Sequence, residues 1–205
     1  MFGELGSKFR SSSVVAAGSR YPALYTSGGN LYHRHHPVHP GAATVNIRDG
    51  YLYAAPWPVP QDIYLTDVGI EIKTQTALAV IRIGLYSDYK GYPLTLIQEF
   101  GNNCANASIS CNVAPGTLMY GGLTNPLYVR SGFYWITYVA QGAAVPCNGM
   151  NYGLLHNLAL GSVPATGAPA FAYTQNPVAG ALPANFTRTV YGIDDPLARI
   201  VFRIL

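Results

Sequence analysis

Glycine and proline interrupt this chain so often, at 22 and 15 of its 205 residues, that no helix longer than two turns can be placed in it. Strand is what survives between the breaks. Residues 132–139, Gly-Phe-Tyr-Trp-Ile-Thr-Tyr-Val, combine aromatic and β-branched side chains throughout and form the strongest strand candidate. Residues 80–86, Val-Ile-Arg-Ile-Gly-Leu-Tyr, are apolar enough for a central strand. Ile63 and Leu65, then Val68, Ile70 and Ile72, alternate with polar residues, with a slip of phase near Asp67. Ile200, Phe202 and Ile204 alternate with Arg199, Val201 and Arg203. Val45 and Ile47 precede Asp49-Gly50, and Tyr51 and Tyr53 follow it, which predicts a hairpin there. Short strands at roughly even spacing, separated by Gly/Pro turns, predict an all-β fold, a single β-sandwich or jelly roll.

The strand pattern begins at Thr44. Before it, residues 1–43 show no sustained period of 2 or 3.6 and are broken by Gly18, Pro22, Gly28, Gly29, Pro37, Pro40 and Gly41. The expected organisation is an extended N-terminal arm over 1–43 and a sandwich domain over 44–205. Phe9, Tyr21 and Tyr25 punctuate the arm with apolar anchors, and Arg10 and Arg20 give it charge. A purely solvated tail has little use for such anchors, so these five residues are the expected contacts with a partner. Fully extended, an arm of this length reaches on the order of 140 Å. The alternative is an arm that packs on its own domain as an extra edge strand.

Charge is scarce, at 10% of residues, while 49% are hydrophobic and sixteen tyrosines stand against three lysines. A surface so short of charge stays soluble through uncharged polar groups or is covered by neighbouring subunits, and the composition therefore points to assembly. The net charge of +3 sits in the arm: residues 1–48 carry five basic groups and one acidic, residues 49–205 seven and eight. That arm is too sparse for a nucleic-acid-binding stripe and suits an acidic protein surface better. No secretory leader is visible and no apolar run approaches the ~20 residues that span a bilayer, so neither nucleic acid nor membrane is an expected partner.

Residues 82–97, Arg-Ile-Gly-Leu-Tyr-Ser-Asp-Tyr-Lys-Gly-Tyr-Pro-Leu-Thr-Leu-Ile, resemble a strand–turn–strand signature of bacteriophage virion proteins. In that signature Arg, Gly and Tyr alternate along a strand, Ser/Asn-Asp and Gly-x-Pro make the turn, and a Leu-rich strand follows. Gly132-Phe133-Tyr134-Trp135 and the Tyr51–Pro60 stretch are similar to the later and opening strands of the same modules. The likeness covers residues 50–141. It implies a structural, non-enzymatic protein, a tail-associated fibre or a capsid decoration, that assembles in the host cytoplasm into the virion, forms a homotrimer and docks on another virion protein through its arm. It implies no catalytic residue. Read physically, Asp88 and Gly91 suit a turn, Pro93 can open a strand, Arg82 points outward or to an interface, and Tyr86 and Trp135 are core or interface aromatics.

Other candidate sites are few. His33-Arg34-His35-His36-Pro37-Val38-His39 places His33 and His35 on one side of an extended segment, where a trimer axis would gather imidazoles for a metal ion. No other cofactor is expected. Cys104 and Cys111 could close a small loop, with buried thiols as the alternative. Asp67 and Glu71 flank a strand as a surface pair, Asp194-Asp195 precede Pro196 as in a turn, and His156 stands alone. No GxSxG, HExxH, phosphate-binding loop or GxGxxG occurs, so an enzyme is not expected. Asn106-Ala-Ser and Asn185-Phe-Thr match the glycosylation pattern, read as coincidence. The rival function is a carbohydrate-binding sandwich recognising host surface glycan, with Trp57 as the candidate sugar platform.

Overall fold

The computed structural model describes residues 24–27, 30–34, 44–101, 109–149, 172–187, 190–192 and 197–205. Every paired strand is antiparallel, and two seven-stranded sheets pack face to face. The chain is an all-β sandwich, as its punctuation predicts, with no helix among the described residues.

The first sheet contains β1 (Leu24–Ser27), β2 (Asn30–Arg34), β14 (Ile200–Ile204), β5 (Ile63–Ile72), β11 (Val145–Asn148) and β3 (Thr44–Ile47) in that order, with β9 (Thr117–Val129) paired to β5. The second runs β13 (Val190–Gly192), β12 (Ala172–Gln175), β4 (Leu52–Val59), β10 (Gly132–Gln141), β6 (Val80–Tyr89) and β7 (Tyr92–Phe100), with β8 (Ile109–Ser110) paired to β6. The core lies between them, because alternate residues of each strand face inward. From the first sheet come Leu65, Val68, Ile70, Ile72, Ile200 and Phe202; from the second come Tyr53, Trp57, Ile81, Ile83, Leu85, Ile136 and Tyr138. The slip of phase near Asp67 is a bulge: the β5–β9 register shifts between Leu65 and Asp67.

Three expectations change. Val45–Ile47 and Tyr51–Tyr53 do not form a hairpin, since β3 pairs with β11 in one sheet and β4 with β10 and β12 in the other. The Gly50 amide donates to the Ala140 carbonyl and the Gly50 carbonyl accepts from Val178, so this turn is tied into the second sheet and carries the chain across. Gly50 has φ +73°, which glycine adopts without strain. Within the segment expected as an arm, β1 and β2 are a hairpin, and β2 pairs along β14 from Arg34↔Val201 to Leu31↔Ile204. β1 and β2 are thus an edge of the first sheet, the arrangement weighed as the alternative. Phe9, Arg10, Arg20, Tyr21 and His35 lie outside the described residues, and Tyr25 and His33 are placed only by their backbone in β1 and β2.

Trp57 is the third change. It is fully buried and its ring stacks on Phe202 at 4.1 Å between centroids. Alternation along β4 turns Pro56 and Pro58 outward and Trp57 inward, so Trp57 offers no open face to a sugar. Both prolines lie past the end of β12, which pairs only with Leu52–Ala54; on that side a missing N–H costs no ladder bond.

Candidate functional site

The outward positions of β6 hold the signature residues Arg82, Gly84, Tyr86 and Asp88. The loop from Asn176 to Thr187, which joins β12 to β13, lies across them as an Ω-shaped strap with its ends held together by β12–β13 pairing. Arg82 donates to Glu99 Oε1 at 2.8 Å and to Gln141 Oε1 at 3.0 Å. Those two partners hold the strap: Glu99 Oε2 accepts from the Leu182 amide, and Gln141 Nε2 donates to the Val178 and Gly180 carbonyls. Gly84 leaves room for it, since a Cβ there would sit 2.5 Å from Leu182 Cδ1. Tyr86 donates its hydroxyl to the Pro183 carbonyl at 2.6 Å and meets Phe186 edge-on. Burial pushes the Tyr86 phenol well above its ordinary pKa, with the charge of Glu99 adding to the effect. Asp88 accepts from Trp135 Nε1 at 2.8 Å.

The strap closes a second small core on the outside of the sheet. Leu52, Ala54, Tyr86, Trp135, Val139, Tyr173, Val178, Leu182 and Phe186 form it, separate from the core between the sheets. The strap also covers the edge of β7, because Leu96 donates to the Ala184 carbonyl and Phe186 to that of Leu94. Arg82, Gly84, Tyr86 and Asp88 are therefore committed to holding the protein's own chain. Their order along one strand face reads as structural in the sequence, and in the fold these residues hold the strap and the turn.

The outer face of the first sheet is polar and half-buried. Glu71 accepts from Asn148 Nδ2 and from Arg199, and pairs with Lys73 at 3.4 Å. Burial alone would raise its carboxyl pKa, but these partners together hold it below the ordinary range. Arg203 pairs with Asp67 at 3.2 Å and lies over the Tyr120 ring, which rests on Gly69. Asp67 and Glu71 are thus outward-facing, as the sequence suggests, and each is held by its own arginine rather than across a cleft.

The exposed aromatics gather at one end of the sandwich. Tyr64, Tyr89, Tyr92, Tyr128 and Phe133 are the large rings open to solvent among the described residues. All five belong to the β4–β5, β6–β7 and β9–β10 connections or the strand ends beside them. On the second sheet a file of rings joins two exposed ones through two buried ones: Phe133 meets Trp135 edge-on, Trp135 contacts Tyr173, and Tyr173 contacts Tyr92. Lys90 lies over Tyr89, and Gly91 completes the turn at φ +84° with its amide donating to Asp88.

On the first sheet Tyr64 and Tyr128 stand directly opposite each other, with centroids 5.1 Å apart and planes at 42°. The Tyr128 hydroxyl donates to Asp62 Oδ2, and the Ser131 amide donates to Asp62 Oδ1 at 2.7 Å. The bond from Tyr128, then that from Ser131, hold the exposed Asp62 carboxyl below its ordinary pKa, with Arg130 adding attraction. The same bond holds the Tyr128 phenol up. Nothing in the one-dimensional pattern marks this cluster, because it needs the β5–β9 register to bring Tyr64 to Tyr128 and two turns to bring Asp62 to Ser131.

Cys111 and Cys147 are free, buried thiols, and burial pushes Cys111 up to about 12. Cys104, His156, Asp194 and Asp195 lie outside the described residues. Among the described residues no cluster of three His, Cys, Asp or Glu side chains is placed to hold a metal ion. No helix of the described residues is long and apolar enough to cross a membrane. The fold and its surfaces define an all-β sandwich with one face covered by its own chain and an aromatic-rich end. Compared with known proteins, the sequence matches no family model and no curated protein.

Proposed function

We propose that this protein is a non-enzymatic structural component of a tailed-phage virion, a tail-associated fibre or capsid decoration, that self-assembles as a homotrimer. The observation that carries the reading is the use made of the signature over residues 82–97. Its outward residues hold a strap across the sheet instead of converging on a cleft, as suits a module that works by its surface. The resemblance to virion proteins supplies the setting, and the N-terminal residues 1–23 supply the docking segment ahead of the β1–β2 hairpin.

Leu94 and Ile97 supply the subunit contact. Both project from β7, 41% and 42% exposed, where two shifts of the β6–β7 register turn them out of the sheet. Because the strap occupies the backbone edge of β7, subunits meet there through side chains and not by extending the sheet. Light scattering of the purified chain at micromolar concentration tests this. The expected particle has three times the 22.0 kDa chain mass; Leu94→Asp with Ile97→Asp is expected to yield a folded monomer. A monomeric wild-type protein would contradict the proposal. Deleting residues 1–23 is expected to leave the trimer intact and abolish incorporation into particles.

A further inference from the structure

We infer that the corner formed by Tyr64, Tyr128 and Asp62 is a saccharide-binding site for neutral pyranose oligomers. This goes beyond the assembly role, and its test is separate from the test of that role. Two features of the corner define the ligand. The first is a pair of adjacent rings, 51% and 45% exposed, that the fold leaves out of both cores. An aromatic face carries the negative side of a quadrupole and meets the slightly positive C–H face of a pyranose favourably. The second is a carboxylate already fixed by the Tyr128 hydroxyl and the Ser131 amide, with its remaining lone pairs toward solvent. A fixed, ionised carboxylate beside a ring accepts hydrogen bonds from neighbouring sugar hydroxyls without a further ordering cost.

Among the described residues the exposed large aliphatic side chains are placed elsewhere: Leu94 and Ile97 on β7, and Leu78 at the opposite end between β5 and β6. Leu205 is the exception, its amide donating to the Tyr64 carbonyl. Anionic sugars are disfavoured because Asp62 meets the ligand as a carboxylate, whereas the charge of Arg130 is set on an exposed side chain that no hydrogen bond to Asp62 fixes. Tyr64 and Tyr128 thus replace the buried Trp57 as the sugar platform.

The test is an array of neutral oligosaccharides built from glucose, galactose and N-acetylglucosamine in α and β linkage, probed with the full chain. Binding to at least one family of oligomers is expected, at least tenfold weaker in Tyr64→Ala and in Asp62→Asn. Tyr128→Phe, which keeps the ring and frees Asp62, is expected to weaken binding several-fold, and Leu78→Ser to leave it unchanged. Circular dichroism and the melting temperature of each variant, at these exposed positions, are expected to match wild type. Absence of binding to every oligomer, or binding indifferent to both Tyr64→Ala and Asp62→Asn, would overturn the inference. So would dissociation of the trimer by Tyr64→Ala, which would make the rings a subunit contact.

Discussion

The two outer faces of the sandwich solve the same problem in opposite ways. On the first sheet the chain uses charge: Glu71 with Arg199 and Lys73, and Asp67 with Arg203, make a half-buried polar face. On the second it spends chain, laying residues 176–187 over Leu52, Tyr86, Trp135 and Val139. With 10% charged residues the sequence has little charge to divide between two faces. The covered face shows that a low charge fraction can be met within one chain.

If that contrast is right, the second sheet's outer face should behave as an interior and the first sheet's as a surface. Trp135→Ala removes the largest ring of the outer core and leaves Asp88 without its indole donor; a loss of about 3–5 kcal/mol is expected by urea unfolding. Tyr120→Ala, on the polar face, forfeits a ring under Arg203 and is expected to cost about 1 kcal/mol or less. Equal losses would erase the distinction.

Glycines sharpen it further. A Cβ at Gly84 meets Leu182 of the strap, and Thr137 and Leu96 beside it, all within 3.1 Å. Gly84→Ala is expected to destabilise by ~1–3 kcal/mol, as overpacking does. Gly69→Ala meets the Tyr120 ring at 2.7 Å, yet that ring can swing toward solvent, so the expected loss is below ~1 kcal/mol. Tyr86→Phe, which leaves the Pro183 carbonyl without its donor, should cost about 1 kcal/mol.

The faces also differ in the pH at which they weaken. Glu71 titrates lower in the folded chain than its ordinary 4.5, so its stabilisation is complete above that value and is lost as pH falls through the folded value. Tyr86 titrates higher than its ordinary 10.0, so its contribution is complete below 10.0 and is lost as pH rises beyond it. Glu71→Gln is expected to flatten the acid limb of a melting-temperature profile, and Tyr86→Phe the alkaline limb. The thiol of Cys111, raised from 9.0 to about 12, adds to the alkaline limb in both proteins.

Much of the fold was legible because alternation reports burial directly. Ile200, Phe202 and Ile204 face the core as their spacing implies, and the bulge near Asp67 appears as a break in phase. Long-range pairing was not legible. Asp49-Gly50 has hairpin chemistry but passes the chain between sheets, because Ala140 and Val178 claim its backbone groups. Trp57 is the sugar platform of the rival reading, and it is the parity of β4 that buries it. The strap escaped for a similar reason: residues 161–185, rich in Ala, Pro and Gly, read as a surface loop or as a cover for a subunit interface, and it is contact of Leu182 and Pro183 with Gly84 and Tyr86 that makes the described part a cover for its own sheet.

Amide hydrogen exchange at the strap tests the central contrast most directly. The Leu96, Val178 and Phe186 amides donate to the Ala184, Gly50 and Leu94 carbonyls, so each reports whether the strap is closed. If the covered face is an interior, these amides are protected nearly as well as that of Ile136 in the middle of β10 and far better than the exposed turn amide of Gly91. Exchange at the rate of Gly91 would mean that the strap opens freely, and the second sheet would then have no outer core.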